Sequence, residues 1–356
     1  MRTRNWEQAH EFSFTHDRVK HRRASVKLPE TTADQSPLPT AFDPNGTVIS
    51  HAKKWAFVEI DGKERLCLVD ERLKPEGATL LAPGDRVLVE FEDNDAIVRG
   101  VAPRRTWLSR PGGPHERFAE QVFAANVDVL IVVASVAKPP FRPGLIDRYL
   151  IAAEVGGVDA VLCVNKIDLV DGEPEGVTMY RDLGTHVIHT SCVTGAGLDA
   201  LRAALRGKLS VLSGHSGVGK TSLLNALQPG LDLGTLEVSE ATERGRHATT
   251  AGRLYELDGG IRIIDTPGIR ALGLWGVSAE EVEHYFPEIA EAAAGCKFRD
   301  CTHTHEPACA VRDAVDADDI PRPRYASYLR IRASLESDTG LTPGRRMAGE
   351  GTPPAH

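Results

Sequence analysis

Between residues 46 and 102 apolar and polar positions alternate in five short runs, Thr47–Ser50, Trp55–Ile60, Glu64–Val69, Arg86–Phe91 and Ala96–Val101. A period of two over such lengths predicts half-buried strands. Asp61-Gly62 marks a hairpin turn, and Ala82-Pro83-Gly84-Asp85 marks a second tight turn. Five short strands in one small segment predict a β-barrel, with an OB-fold as the leading architecture.

After Val127 the pattern changes. Val127–Ala134, Val161–Val164, Val187-Ile188 and Leu209–Ser213 are unbroken apolar runs, and Leu254–Leu257 and Arg262–Ile264 follow as further strands. Stretches of helical periodicity lie between them at Leu145–Val155, Leu198–Leu205 and Lys220–Leu227. Continuous apolar strands alternating with helices predict a parallel sheet covered on both faces. From Ser278 the chain reads as helical, over Ala279–Tyr285, Pro287–Ala294 and the amphipathic stretch Tyr325–Leu335, whose apolar side reads as a docking face.

These changes of period divide the chain into a barrel over 45–103, an α/β domain over 104–276 and a helical domain over 277–336. They are flanked by a basic, disordered arm (1–44) and a Gly/Thr/Pro-rich, disordered tail (337–356). A length of 356 residues allows each domain its own core. No apolar run reaches membrane-spanning length, and the start of the chain lacks a secretory apolar segment, so a cytoplasmic protein is expected, with no membrane partner. The net charge of −8 argues against a uniformly basic nucleic-acid binder. Two local clusters run against that balance: Arg2, Arg4, Arg18, Lys20, Arg22, Arg23 and Lys27 in the arm, and Arg99, Arg104, Arg105 and Arg110 around the Pro/Gly-rich residues 103–113. Taken alone, such runs read as a solvated tail and a solvated linker before they read as RNA contacts.

Gly214-His215-Ser216-Gly217-Val218-Gly219-Lys220-Thr221, followed by Ser222, fits G-x-x-x-x-G-K-[ST] and lies between a predicted strand and a predicted helix. In that setting loop N–H groups surround a β-phosphate, Lys220 reaches the β and γ oxygens, and the Thr221 hydroxyl is a Mg²⁺ ligand. Asn165-Lys166-Ile167-Asp168 ends another strand and selects the base. The Asp168 carboxylate accepts from N1 and N2 of guanine, whereas adenine offers no such pair of donors. Ser191-Cys192-Val193 follows the next strand, where a loop backs the base. Asp265-Thr266-Pro267-Gly268 ends a further strand, with Asp265 placed to hold Mg²⁺ through water and the Gly268 N–H to meet a γ-phosphate.

Between these motifs lies the polar stretch Gly245-Arg246-His247-Ala248-Thr249-Thr250. Either Thr249 or Thr250 supplies a second Mg²⁺ contact. Ile269 stands where Ras-type enzymes place a water-orienting Gln, so intrinsic hydrolysis is expected to be slow, with His247 or a partner orienting the water. In a Ras-type GTPase the Asn-Lys-x-Asp element comes near the end, whereas here it comes first. The set is complete but rotated, as in a circularly permuted GTPase. This order attaches the second switch to the helical segment, and the Arg-rich stretch ties the other end of the GTPase segment to the barrel.

Cys296, Cys301, His303 and Cys309 crowd into one window, a pattern that reads as a closed tetrahedral Cys₃His zinc site, with His305 as a second candidate for the imidazole. Cys67, Cys163 and Cys192 read as small core residues.

With these residues assembled, the chain resembles the ribosome small-subunit-dependent GTPase A family (RsgA/YjeQ type) over about residues 45–335. The resemblance rests on the permuted order, the barrel, Cys296-Lys297-Phe298-Arg299-Asp300-Cys301-x-His303, Phe141-x-Pro143-Gly144-Leu145-x-Asp147-Arg148-Tyr149-Leu150, and Gly273-Leu274-Trp275. Ala248 departs from the family, which usually has a Thr there. The resemblance implies an OB-fold, a permuted P-loop GTPase domain and a zinc-bearing helical domain. It also implies GTP/GDP, Mg²⁺ and one structural Zn²⁺ as cofactors, and a partner in the small (30S) ribosomal subunit and its 16S rRNA, with a monomer off the ribosome. Family members assist late maturation of that subunit and hydrolyse GTP slowly until it stimulates them. A GTP-dependent RNA-binding module with vestigial hydrolysis, or a GTPase serving translation more generally, are the competing readings. Intact Lys220, Thr221 and Asp265 favour turnover.

Overall fold

A computed structural model describes residues 38–39, 41–52, 54–73, 79–92, 95–112, 119–173, 176–229, 252–265 and 273–338. Most of the basic arm, the C-terminal tail from residue 339, and His247, Thr249, Thr250, Thr266, Pro267, Gly268 and Ile269 lie outside the described residues.

Strands β1 (Gly46–His51), β2 (Trp55–Ile60), β3 (Lys63–Val69), β4 (Arg86–Glu92) and β5 (Asp95–Val101) close a barrel in the order β1-β2-β3-β5-β4. Closure comes from β1 pairing with β4, where Thr47 faces Arg86. The alternation in sequence is the alternation in space: Val48, Ala56, Val58, Cys67, Val87 and Val98 point inward and fill the barrel. This is the OB-type arrangement expected.

Residues 103–113 do not form a linker. Strand β6 (Trp107–Pro111) pairs antiparallel with β7 (Glu120–Ala125), and Trp107 Nε1 donates to Glu120 at 3.0 Å. The arginine cluster around this stretch is not solvated as a group either. Arg99 bonds Asp70 and Glu92, and Arg104 makes a bidentate pair with buried Asp85 at 2.8 and 2.9 Å. The acids come from elsewhere in the barrel, which is why the local sequence showed only uncompensated charge.

A six-stranded sheet follows, in the order β10-β9-β8-β11-β13-β12. Its strands are β8 (Val129–Ser135), β9 (Asp159–Asn165), β10 (His186–Thr190), β11 (Leu209–Ser213), β12 (Arg253–Leu257) and β13 (Ile261–Asp265). All are parallel except β12, which runs antiparallel to β13 at one edge. Every residue of β8 and of β11 is buried, as continuous apolar runs require. Helices α1 (Pro143–Val155), α2 (Val177–Asp182), α3 (Leu198–Leu205) and α4 (Lys220–Leu227) connect the strands.

Beyond the sheet, the expected helix over Ala279–Tyr285 is a 3₁₀ turn at Glu281–Tyr285. Pro287 forces the preceding Phe286 to extended backbone (φ −125°, ψ 81°) and cuts the helix short. Helices α5 (Pro287–Ala293), α6 (Ala310–Asp316) and α7 (Arg322–Asp338) complete the chain. Phe286, Ile289, Val311, Tyr328 and Ile331 belong to the same apolar cluster as Tyr149 and Ile151 of α1, so this segment shares a core with the sheet domain. Among the described residues, no helix is long and apolar enough to cross a membrane.

Candidate nucleotide site and cysteine-histidine centre

The chain runs outward from β8 through β9 to β10, then returns to lay β11 on the other side of β8. The carboxyl ends of strands at such a reversal form the crevice where open α/β sheets bind ligands. Two of the sequence motifs open there. Residues 214–219 follow β11, and Lys166, Ile167 and Asp168 follow β9.

The loop after β11 folds tightly around its glycines. A side chain on Gly214 would put its Cβ 2.2 Å from the Val133 carbonyl oxygen. Gly219, at φ +100°, would put one 2.3 Å from Asn165 Nδ2. Lys220 opens α4 and turns its ammonium back over the loop, donating to the carbonyls of Gly214 at 2.8 Å and His215 at 3.1 Å. His215 Nδ1 lies 2.8 Å from the Ser216 carbonyl oxygen. Thr221 is half-buried in the first turn of α4, Ser222 is exposed, and Val218 is buried beneath the loop.

The two loops are cross-tied. Asn165 Nδ2 donates to the Val218 carbonyl at 2.9 Å, and Asn165 Oδ1 accepts from Thr190 at 3.1 Å. Lys166 adopts the left-handed region at φ +65°, which is uncommon for a side-chain-bearing residue and marks a strained site held by its surroundings. Its ammonium spans to the carbonyls of Lys138 and Gly217, each at 2.6 Å. The Asp168 carboxylate is exposed and accepts from the hydroxyl of buried Ser191 at 2.5 Å. That same hydroxyl accepts from the N–H groups of Val193 and Thr194, so the loop after β10 is fixed relative to Asp168. Cys192 is half-buried with its sulfur 3.9 Å from Asn165 Oδ1, and burial pushes its thiol pKa up. Asp265 ends β13, opposite Arg253 in register. Residues 266–268 lie outside the described residues.

Sequence reasoning missed Thr190 and Lys138. Thr190 had a signal, since it immediately precedes Ser191 at a strand end. Lys138 had none, because its contribution is a backbone carbonyl brought close by the fold.

The second centre lies in the C-terminal segment. The ligand atoms of Cys296, Cys301, His303 and Cys309 all fall within 4.8 Å of one another. His303 Nδ1 is 3.6 Å from the Cys296 sulfur and 3.4 Å from that of Cys309, and those two sulfurs are 3.9 Å apart. A tetrahedral zinc with Zn–S bonds of about 2.3 Å has ligand–ligand edges of about 3.8 Å, so the spacing fits. Burial, together with the neighbouring sulfurs, pushes the Cys301 thiol up to about 12. Three thiols and an imidazole at this spacing could hold a metal ion. His303 Nε2 lies 2.9 Å from the Glu283 carboxylate, which fixes the ring and leaves Nδ1 facing the sulfurs. His305 is exposed and bonded to Thr304, outside the cluster. Glu283 carried no sequence signal. It stands twenty residues before His303, and only the fold joins them.

A family profile described as RsgA GTPase matches residues 101–275. A small ribosomal subunit biogenesis GTPase RsgA from Gemmatimonas aurantiaca is 43% identical over 290 residues, covering 79% of this chain and 94% of that protein. One of the same description from Shewanella oneidensis is 38% identical, covering 86% of this chain and 88% of that protein. The solved structure of YjeQ from Thermotoga maritima matches with a TM-score of 0.63 at 32% identity, covering 82% of this chain and 98% of that one. YloQ, described as a circularly permuted GTPase, matches with a TM-score of 0.59 at 27% identity, covering 83% and 95%. The rotated motif order is thus that of a permuted GTPase fold.

Proposed function

This chain belongs to the RsgA GTPase family, and from that premise we propose that it binds the small ribosomal subunit through 16S rRNA, assists its late maturation, and hydrolyses GTP slowly until the subunit stimulates it. The observation that carries the nucleotide half is the cross-tie of the two loops through Asn165 and Lys166. It brings residues 214–219, read as the phosphate loop, and Asp168, read as the guanine-selecting carboxylate, to one crevice. Relatives whose names state small-subunit biogenesis, matched over most of their length, support the ribosomal half.

In this reading residues 214–222 wrap the phosphates, and Lys220 gives up its loop carbonyls for β and γ oxygens. Ile167 and Asp168, with Ser191 and Cys192, frame guanine. Thr221, Asp265 and either Thr249 or Thr250 would hold Mg²⁺, which supplies charge neutralisation at the phosphates. The Gly268 N–H meets the γ-phosphate, and His247 or a partner orients water. Cys296, Cys301, His303 and Cys309 would hold one structural Zn²⁺, oriented by Glu283. The protein works in the cytoplasm as a monomer between ribosomal encounters.

The test is GTP turnover measured alone, with purified small subunits and with large subunits. Stimulation by small subunits alone is expected, together with loss of turnover in Lys220→Ala. Equal rates with and without small subunits would overturn the ribosomal assignment. Undiminished activity of Lys220→Ala would overturn the phosphate-loop assignment.

A further inference from the structure

A groove of about 540 Å³ opens where the start of α1 meets α7. Its apolar lining includes Phe141, Leu145 and Ile331, and three arginines line it, Arg142 and Arg148 from α1 and its approach and Arg330 from α7. No carboxylate lines it. Arg148 donates to Ser334 at 2.8 Å, which anchors it across the seam. Arg142 and Arg330 are exposed, and among the described residues neither guanidinium makes a hydrogen bond or an ion pair. The contrast lies on the same helix. Arg324 of α7 is buried and bound to two carboxylates.

Gly144 lets Arg330 lie close. A Cβ there would come within 3.1 Å of Arg330 Nη2. Arg142 and Arg330, two like charges over an apolar floor, repel one another more than in open water, and an anion between them relieves that repulsion. Every charged side chain lining the groove is a guanidinium donor, so the complementary ligand is an anionic acceptor, and the planar fork of arginine fits phosphate oxygens in particular. The groove is open and is shared by two elements, as contacts to a continuous phosphate backbone are, rather than enclosed as for a small metabolite.

We infer that this groove binds backbone phosphates of an RNA strand at the seam between the GTPase sheet and the C-terminal helices. The inference deepens the RNA-binding reading above and rests on it. The test uses the full chain, the double variant Arg142→Ala/Arg330→Ala, and Arg206→Ala as a control on an exposed arginine in the turn after α3. Binding to small subunits and to a single-stranded RNA oligonucleotide is measured across a salt series.

Loss of one to two phosphate contacts lowers the slope of log K against log salt by about 0.7 to 2, and affinity falls several-fold at low salt. The double variant is expected to show this on both probes, with basal GTP turnover unchanged and Arg206→Ala like wild type. Equal slopes for wild type and double variant would overturn the groove while leaving the ribosomal reading intact. Wild type that binds the oligonucleotide but not subunits would overturn the ribosomal reading, and the oligonucleotide slopes would still decide the groove. Wild type that binds neither RNA overturns both. Inorganic phosphate binding that the double variant loses, without any change in RNA slope, would assign the groove to free phosphate and overturn the RNA proposal.

Discussion

The GTPase sheet meets the C-terminal segment and the barrel through seams of opposite chemistry. At the C-terminal seam Arg324 is buried, bonded to Asp147 of α1 and to Glu288 of α5, with its guanidinium 4.2 Å from the Phe286 ring centroid. Tyr180 donates to the same Asp147 oxygen at 2.8 Å, and apolar residues from both sides form one cluster. At the barrel seam the outer face of β2–β3 meets the β12–β13 hairpin through Glu64–Arg253 and Glu59–Arg262, at 2.8 and 3.0 Å. Those side chains are 29–39% exposed. A buried contact lies apart from them, where the Thr79 hydroxyl accepts from Val122 N–H at 3.0 Å, the Gly84 carbonyl accepts from Asn126 at 3.0 Å, and Ala82 packs with Val122 and Ala125. A dry seam with shared packing holds one geometry, whereas a wet seam of ion pairs can re-form at small cost. In the proposed reading, the rotated motif order ties both flanking segments to the switches. Within the barrel's contact, the exposed Glu64 and Glu59 pairs are the part that can re-form at small cost.

The largest expected effect breaks the rigid side at its far end. Cys309→Ser removes one of the four proposed zinc ligands, a residue only 2% exposed, and bound zinc should fall from about one equivalent to near none. Because the C-terminal segment shares its core with the sheet, its loss should lower the melting temperature of the GTPase core as well. Zinc titration with calorimetry checks this. A GTPase transition left at its wild-type temperature after metal loss would show that the two are separate bodies.

Next is the seam itself. Arg324→Ala leaves Asp147 buried without its cation, and breaking a buried pair in this way costs about 3–5 kcal/mol. Urea unfolding measures it. A cost below about 1 kcal/mol would place this seam in the same class as the barrel's.

The barrel is firm within itself. Arg72, with Arg99, holds the Asp70 carboxyl well below the usual carboxylate range. A carboxyl whose pKa is depressed in the folded state adds stability above its unfolded pKa of about 3.9 and loses it as pH falls through the folded value. Asp70→Asn should therefore lower barrel stability at neutral pH by about 1–3 kcal/mol and flatten its acid dependence. Parallel acid profiles for variant and wild type, followed by tryptophan emission from Trp55, would remove Asp70 from that role.

What the sequence made legible divides along the same physical line, between local and distant interactions. Helices Leu198–Leu205 and Lys220–Leu227 and strand Leu209–Ser213 have the bounds their periodicity predicts, because strand, loop and helix follow one another directly. The Cys₃His set was readable because its four members share one short segment. The β6–β7 hairpin was not, since Arg, Pro and Gly hide a strand whose partner lies beyond residue 118. Asp70, Asp85 and Glu92 were invisible as counter-charges to Arg99 and Arg104, and Glu283 as support for His303, for the same reason. Asn165 and Lys166 were legible only as candidates for selecting the base. Their second task, fastening one loop to the other, exists only in three dimensions.

The smallest expected effect sharpens the comparison most. Glu64→Gln removes one charge of a partly exposed pair, and such pairs contribute under about 1 kcal/mol. A double-mutant cycle with Arg253→Gln should return a coupling of that size, several times smaller than a cycle across Asp147 and Arg324. Stability is then nearly silent, and the sensitive readout is orientation. Arg253 stands opposite Asp265 at the point where β12 begins and β13 ends. The sequence puts the two switch segments just beyond those ends, so the Glu64 clasp is set at the residues a γ-phosphate would move. Distances between labels on barrel and sheet should broaden in Glu64→Gln and lose their dependence on GDP against a GTP analogue, whereas labels across the Arg324 seam should keep one narrow distance throughout. A coupling above about 3 kcal/mol at Glu64–Arg253 would mean that the barrel is held as firmly as the C-terminal segment. Nucleotide state would then have no soft seam through which to act.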